Sequence, residues 1–336
     1  MTSPRILVVR NDKLGDFMLA WPALAMLKQS LPDAHLTVLV PRYTQELAMI
    51  CPWVDGVLTD PDELSQVNRK RFDAVLTLFS TRRIGWQVFK GRIPVRMAPA
   101  TKLAQLFYNH RVVQRRSRSE KPEYVYNLEL ARAFLQQLGV PAVEPSAPYW
   151  PLPSEQVRLQ RAHLAQCLGV DASRPWFFVH AGSGGSASNV SVEQYAVLVQ
   201  QIHLRGLEPV QWVFTCGPGE EAKAEALNRL CAGMGGVVYR SKDGLAAFAR
   251  SLSTAQMLIA GSTGPLHVAG VLDVPTVGFF PAKRSSTALR WRPCNAPGRT
   301  LAFSPDTQHH EPDDMASIDM GACAKAVVAW YQGLAS

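Results

Sequence analysis

The chain has 336 residues, 47% of them hydrophobic, with 35 Lys and Arg against 27 Asp and Glu and a formal charge of +8. That composition excludes a disordered chain, allows two domains, and favours an anionic partner such as nucleic acid, a lipid surface or a phosphorylated small molecule. Six scattered cysteines without a C-x-x-C pair exclude a zinc ribbon and a secreted disulfide framework and point to a reducing, cytosolic compartment, and no apolar run reaches the roughly 18 residues of a membrane span.

The first apolar run, "ILVV", stops at Arg10 and is too short for a signal-peptide core. A helix is expected over residues 16–30, then a strand at "LTVLV", a helix near Gln45, and strands at "GVLT" and "AVLTLF". This alternation predicts a parallel sheet covered by helices. A helix over 124–138 ends at Gly139, and "PAVEPSAPYWPLP" follows with five prolines in thirteen residues, the composition of a linker. The rhythm restarts at "WFFVHAG", continues with a helix opened by Ser191 with Gln194 in capping-box spacing, and runs through "VQWVFTCG", "EEAKAEALNRL", "GVVY", a helix near 245–253, "MLIAG", "PLHVAGVL" and "PTVGFF". A last helix is expected over 314–331.

Ligands of open α/β sheets bind beyond the carboxyl ends of strands, so the loops that directly follow strands carry the candidate chemistry. The first is "RNDKLGD", residues 10–16, where Asp16 stands at the head of a helix; its carboxylate either caps that helix or faces a ligand. The second is "HAGSGGSASN", residues 180–189, whose amides and hydroxyls suit a phosphate, although the composition is also that of a flexible linker. The third is "GSTGPLHVAG", residues 261–270, where Ser262, Thr263 and Gly264 open a helix and His267 sits on its first turn. "DPDEL", residues 60–64, matches the D-x-D form of a metal site but reads as a turn and helix start, with Pro61 at the first helical position, and no His/Cys/carboxylate cluster has metal spacing. Residues 1–150 hold 20 Lys and Arg against 13 Asp and Glu, and residues 82–121 alone hold eleven against one. The excess is therefore local.

"RNDKLGD" with Pro22 in the next helix, the "HAGSGG" loop, "CGPGEE" and "STGPLHVAGVLDVPTVGFF" together resemble the family 9 glycosyltransferases, the ADP-heptose:lipopolysaccharide heptosyltransferases of Gram-negative bacteria. The resemblance covers nearly the whole chain and implies a GT-B fold, α/β, with two Rossmann-like domains whose parallel sheets face a central cleft. It implies an acceptor domain over 1–150, a nucleotide-sugar domain over 151–313, and a helix over 314–336 crossing back to the first domain. The family's catalytic Asp falls on Asp16, and its basic residue after the first strand falls on Arg10, assigned with Lys13 to the acceptor. The T-G and His fall on Thr263, Gly264 and His267, joined on the donor side by Ser183 and Ser262, with Glu220 or Glu221 as the nucleoside-side carboxylate. Two departures stand out. Ser262 replaces an Asp common in the family, and the phosphate loop lacks a Lys that many members carry, for which Lys283 or Arg284 is the candidate replacement.

The expected reaction is inverting transfer of heptose from an ADP-sugar to a phosphorylated glycolipid of the lipopolysaccharide core, with Asp16 as general base and no metal or cofactor. Arg115, Arg116 and Arg118 in the basic stretch are expected to hold the acceptor, and the protein is expected to be a cytoplasmic monomer resting on the inner membrane, with nucleic acid ranked below lipid as a partner. A non-catalytic nucleotide-sugar or nucleic-acid binding protein and a GT-B-type nucleotide-sugar epimerase are the alternatives.

Overall fold

The structure, a computed structural model, describes residues 3–101, 103–183, 188–207 and 209–335. The chain divides after Trp150 into two units, Met1–Trp150 and Pro151–Ser336.

In the first unit the strands are β1 (Arg5–Val9), β2 (His35–Pro41), β3 (Gly56–Asp60), β4 (Ala74–Thr77), β5 (Val95–Pro99) and β6 (His110–Val112), joined by α1 (Leu14–Met18), α2 (Trp21–Ser30), α3 (Gln45–Met49), α4 (Arg82–Lys90) and α5 (Glu123–Gln137). The strands pair in parallel in the order β3-β2-β1-β4-β5-β6. Ile6 to Val9 are all buried, as a central strand covered by helices on both faces requires.

The second unit opens with α6 (Ser154–Leu168). It continues with β7 (Trp176–His180), α7 (Val192–Leu204), β8 (Gln211–Cys216), α8 (Glu221–Leu230), β9 (Val237–Arg240), α9 (Gly244–Leu252), β10 (Met257–Gly261), α10 (Gly264–Val271), β11 (Thr276–Phe279), β12 (Thr300–Phe303) and α11 (Met320–Ala335). Its parallel sheet runs β12-β11-β10-β7-β8-β9. Counted from its own first strand, that is the strand order of the first unit again. Each sheet therefore reverses its winding at one place, between β1 and β4 and between β7 and β10. Such switch points are where doubly wound sheets bind ligands.

Several elements differ from the expectation. The helix of residues 16–30 is two, because the chain turns at Leu19–Ala20 and restarts with Pro22 in the first turn of α2. β5, β6 and β12, the last two at sheet edges, are short or polar strands whose sequences hide the alternation of a buried strand. Arg96 of β5 turns its guanidinium over the Phe89 ring and donates to the Ile93 and Phe107 carbonyls. Pro61 opens no helix: residues 61–63 form a turn. α11 begins at Met320, buries Ala324, Val327 and Val328 in the core of its own unit against α7, and sets Tyr331 edge-on to Phe177 at 4.8 Å. Its apolar face is satisfied there.

Candidate active site

Arg10 directly follows β1 at the first switch point and is only 3% exposed. A buried guanidinium needs acceptors on all sides. Its Nε donates to Asp12 Oδ1 at 2.9 Å, Nη2 to Asp16 Oδ1 at 2.5 Å, and Nη1 to Glu123 Oε1 at 2.9 Å and Asn127 Oδ1 at 3.2 Å. Burial opposes the Arg10 charge, but Asp12, Asp16 and Glu123 outweigh it and hold the group protonated far above ordinary pH. Burial also pushes Asp12 up to about 6, with Arg10 pulling it down and Asp16 pushing it up. Asp16 is not a helix cap. Lys13 occupies the cap position of α1, the Phe17 amide donates to the Lys13 carbonyl at 3.0 Å, and the Asp16 carboxylate, from the first turn, goes to Arg10.

The basic residues expected around this loop separate into two kinds. Lys13, Arg115 and Arg118 are exposed, with Arg118 3.6 Å from Glu120. Arg116 turns inward: it donates to Glu123 Oε1 at 2.6 Å, to Gln114 Oε1 through two nitrogens and to the Leu78 carbonyl, and covers the Tyr126 ring. Glu123 therefore bridges Arg116 and Arg10. Neither Glu123 nor Asn127 was singled out in the sequence, because both lie on a helix more than a hundred residues from Arg10. Asp60, from "DPDEL", is held by both terminal nitrogens of Arg83 at 2.5 Å and by Asn11 at 2.6 Å. Burial alone would raise its pKa, and these bonds bring it below the ordinary carboxylate value. No group of three or more His, Cys, Asp or Glu among the described residues is placed to hold a metal.

In the second unit the candidates follow β7 and β10, the strands at its switch point. His180 ends β7, buried, with Nδ1 3.0 Å from Thr215 Oγ1 and Nε2 3.4 Å from Glu220 Oε2. Burial lowers its pKa to about 4, against the pull of Glu220. Glu220, just ahead of α8, also accepts from the Gly217 amide at 3.1 Å. Gly182 passes so close that a Cβ there would lie 1.9 Å from the Glu220 carboxylate. Glu221 instead begins α8. Ser183 is half-buried beside them, while residues 184–187 of the expected phosphate loop lie outside the described residues. The loop closes on Asn189, which accepts from Tyr195 at 2.9 Å, and on the capping box, with Ser191 and Gln194 exchanging both bonds.

Thr263 occupies the cap position of α10 with extended backbone, Ser262 donates its amide to the Phe279 carbonyl, and Gly264 and Pro265 start the helix. The first-turn amides of a helix lack intrahelical acceptors, so they suit an anion. His267, one turn in, is 3% exposed, lies 6.5 Å from the Trp291 ring and has an Nδ1 with no hydrogen-bond partner among the described residues. Burial lowers its pKa to about 4. Lys283, the suggested replacement for the missing loop lysine, is paired with Asp313.

Two doubly wound units of the same strand order in series, each with polar groups gathered at its switch point, are the architecture of GT-B glycosyltransferases. The chain belongs to glycosyltransferase family 9 (heptosyltransferase), whose sequence profile matches residues 64–312. It is 46% identical over 310 residues to a Haemophilus influenzae protein named "Putative glycosyltransferase", covering 90% of this chain and 89% of that one. It is 26% identical to lipopolysaccharide heptosyltransferase 1 of Pseudomonas aeruginosa, covering 82% of this chain and 78% of that one. The structure of E. coli ADP-heptose LPS heptosyltransferase II matches with a TM-score of 0.78 at 16% identity, over 99% of this chain and 100% of that one. The protein is a glycosyltransferase of this family.

Proposed function

We propose that the protein transfers heptose from ADP-heptose, with inversion, to a phosphorylated glycolipid of the lipopolysaccharide core, and that Asp16 is the general base. What supports this reading is the Asp16 carboxylate, placed after β1 and fixed by a buried Arg10 that three other side chains of its own unit, Asp12, Glu123 and Asn127, hold still. In the reaction an acceptor hydroxyl oxygen attacks the anomeric carbon from the face opposite the diphosphate. The new C–O bond forms as the bond to the β-phosphate oxygen breaks, the proton passes to Asp16, and ADP leaves with the bonding pair. General-base assistance of this kind is worth about 10²- to 10⁴-fold.

Arg10 acts in this reading as the group that orients Asp16, and Lys13, Arg115 and Arg118 are the exposed cations left to meet acceptor phosphates. On the donor side, the Gly264 amide at the head of α10, with the hydroxyls of Ser262, Thr263 and Ser183, meets the charge that grows on the departing ADP. Glu220 takes the nucleoside end and His267 the diphosphate. The relatives' names supply heptose and ADP; in this chain Ser262 and the missing loop lysine make the donor the point to test. No helix among the described residues is long and apolar enough to cross a membrane, and the proposed site of action is the cytoplasmic face of the inner membrane.

The test is incubation with ADP-heptose, ADP-glucose, UDP-glucose and GDP-mannose, each with and without a heptose-deficient core glycolipid. Acceptor-dependent release of ADP from ADP-heptose, with the opposite anomeric configuration in the product, is expected. Isomerisation of a donor without acceptor would make the protein an epimerase, and donor binding without turnover on any acceptor would make it a binding protein.

A further inference from the structure

The basic stretch carries a second feature that the transfer reaction does not use. α4, "RRIGWQVFK", turns Ile84, Gly85 and Val88 into the core and leaves Trp86 53% and Phe89 47% exposed. The turn at residues 103–107 packs on it and exposes Leu103 and Leu106 at 58% and 68%. Gly85 permits that seating, since a Cβ there would lie 2.7 Å from the Phe107 ring. Trp86, Phe89 and Phe107 then form a triangle of rings with centroids 5.9 to 6.1 Å apart. One tryptophan, one phenylalanine and two leucine side chains thus share one outward face, held in place before anything binds.

The rim of this face is positive. Residues 82–119 contain no Asp or Glu. Arg83 is taken up by Asp60 and Arg96 by the Phe89 ring and two carbonyls, which leaves Arg82, Lys90 and Arg92 exposed around the patch. Apolar patches of this kind mark interaction sites. An aromatic cluster with cations at its edge suits the headgroup layer of an anionic bilayer, where rings sit among glycerol groups and each nearby cation adds about fivefold to partitioning. Nucleic acid would use the cations but leaves Leu103 and Leu106 against water.

We propose that the α4 face, Trp86, Phe89, Leu103 and Leu106 rimmed by Arg82, Lys90 and Arg92, is the surface by which the protein rests on an anionic lipid bilayer. The proposal deepens the reading of the acceptor as a membrane glycolipid, and rests on it. The face belongs to the same unit as Asp16, so docking delivers the acceptor-binding half to the layer in which the acceptor's acyl chains are anchored.

The experiment is co-sedimentation of the full chain with vesicles of phosphatidylcholine alone and with about 30% phosphatidylglycerol added. Three variants are compared: Trp86→Ser with Phe89→Ser, Leu103→Ser with Leu106→Ser, and Arg82, Lys90 and Arg92 all changed to Gln. Binding to the anionic vesicles is expected, weakened at least about tenfold in each variant, and weakened in the wild type by about 0.5 M salt. The leucine pair lies on a separate element, so a folding defect in one variant, seen by circular dichroism, leaves the other to decide. Turnover on a water-soluble acceptor lacking acyl chains should be unchanged in all three. Absence of vesicle binding, or binding that no variant weakens, overturns the proposal. So does oligonucleotide binding or self-association that the aromatic variant abolishes in place of vesicle binding. Loss of turnover in the wild type with every acceptor would instead overturn the transferase reading, and vesicle binding would still be read independently.

Discussion

Acidification should unfold the second half of the protein through two histidines, and His267 gives the cleaner case. Its ring is 3% exposed and burial lowers its pKa from 6.5 to about 4. Between those values the unfolded chain binds a proton that the folded one does not, so stability rises with pH across the window and is lost as the pH falls from about 6.5 to about 4. Two and a half units at 1.36 kcal/mol each make about 3 kcal/mol from this one side chain. His180, lowered to about 4 by the same cause, adds a second contribution of similar sign. His267→Leu removes one titration and keeps the site apolar, so about half of the acid sensitivity should disappear, roughly 2 kcal/mol between pH 7 and 4.5. The assay is urea unfolding at several pH values, followed by hydrogen exchange in peptides from β7 and β10 so that the second unit is read by itself. A His267→Leu protein with the wild-type pH dependence would refute the reasoning, because it would mean that the ring is solvated and titrates normally.

Other outcomes follow from the same contacts. Arg10→Met should destabilise the first unit by about 3 to 5 kcal/mol by stranding buried carboxylates, and adding Glu123→Leu should cost less than the sum of the two single changes in a denaturant double-mutant cycle. Gly182→Ala should push the Glu220 carboxylate off the Gly217 amide and His180, leaving the melting temperature nearly unchanged while weakening donor binding about tenfold in calorimetry. Activity should survive dialysis against a chelator, since amides and hydroxyls serve the diphosphate; complete loss that added Mg²⁺ restores would contradict this.

The strands buried on both faces were legible in the sequence because they are unbroken apolar runs, and the loops after β1, β7 and β10 stood out because each ends such a run in Gly, Asp, Ser or Thr. β5, β6 and β12 were not legible: β6 and β12 lie at sheet edges, where His110 and Arg111 can stand in a strand without spoiling it, and β5, next to an edge, turns Arg96 onto the Phe89 ring. α6 was passed over because its polar, mostly exposed sequence follows a proline-rich segment. At the site, position along the chain found Asp16 and Arg10 but could not say that they touch. The partners that make Arg10 rigid, Glu123 and Asn127, come from α5, and only folding brings them near. The same limit applied to Arg116, whose sequence neighbours suggested a surface cation while its hydrogen bonds make it part of the scaffold.

The central claim is that Asp16, and not its neighbour Asp12 on the same guanidinium, takes the acceptor proton. Steady-state kinetics of Asp16→Asn and Asp12→Asn with ADP-heptose and the glycolipid acceptor, alongside calorimetric donor binding, address it directly. The account predicts that Asp16→Asn lowers kcat at least about a hundredfold with donor affinity within about twofold of wild type, while Asp12→Asn loses less than about tenfold. Near-normal turnover by Asp16→Asn, or the larger loss falling on Asp12→Asn, would contradict it.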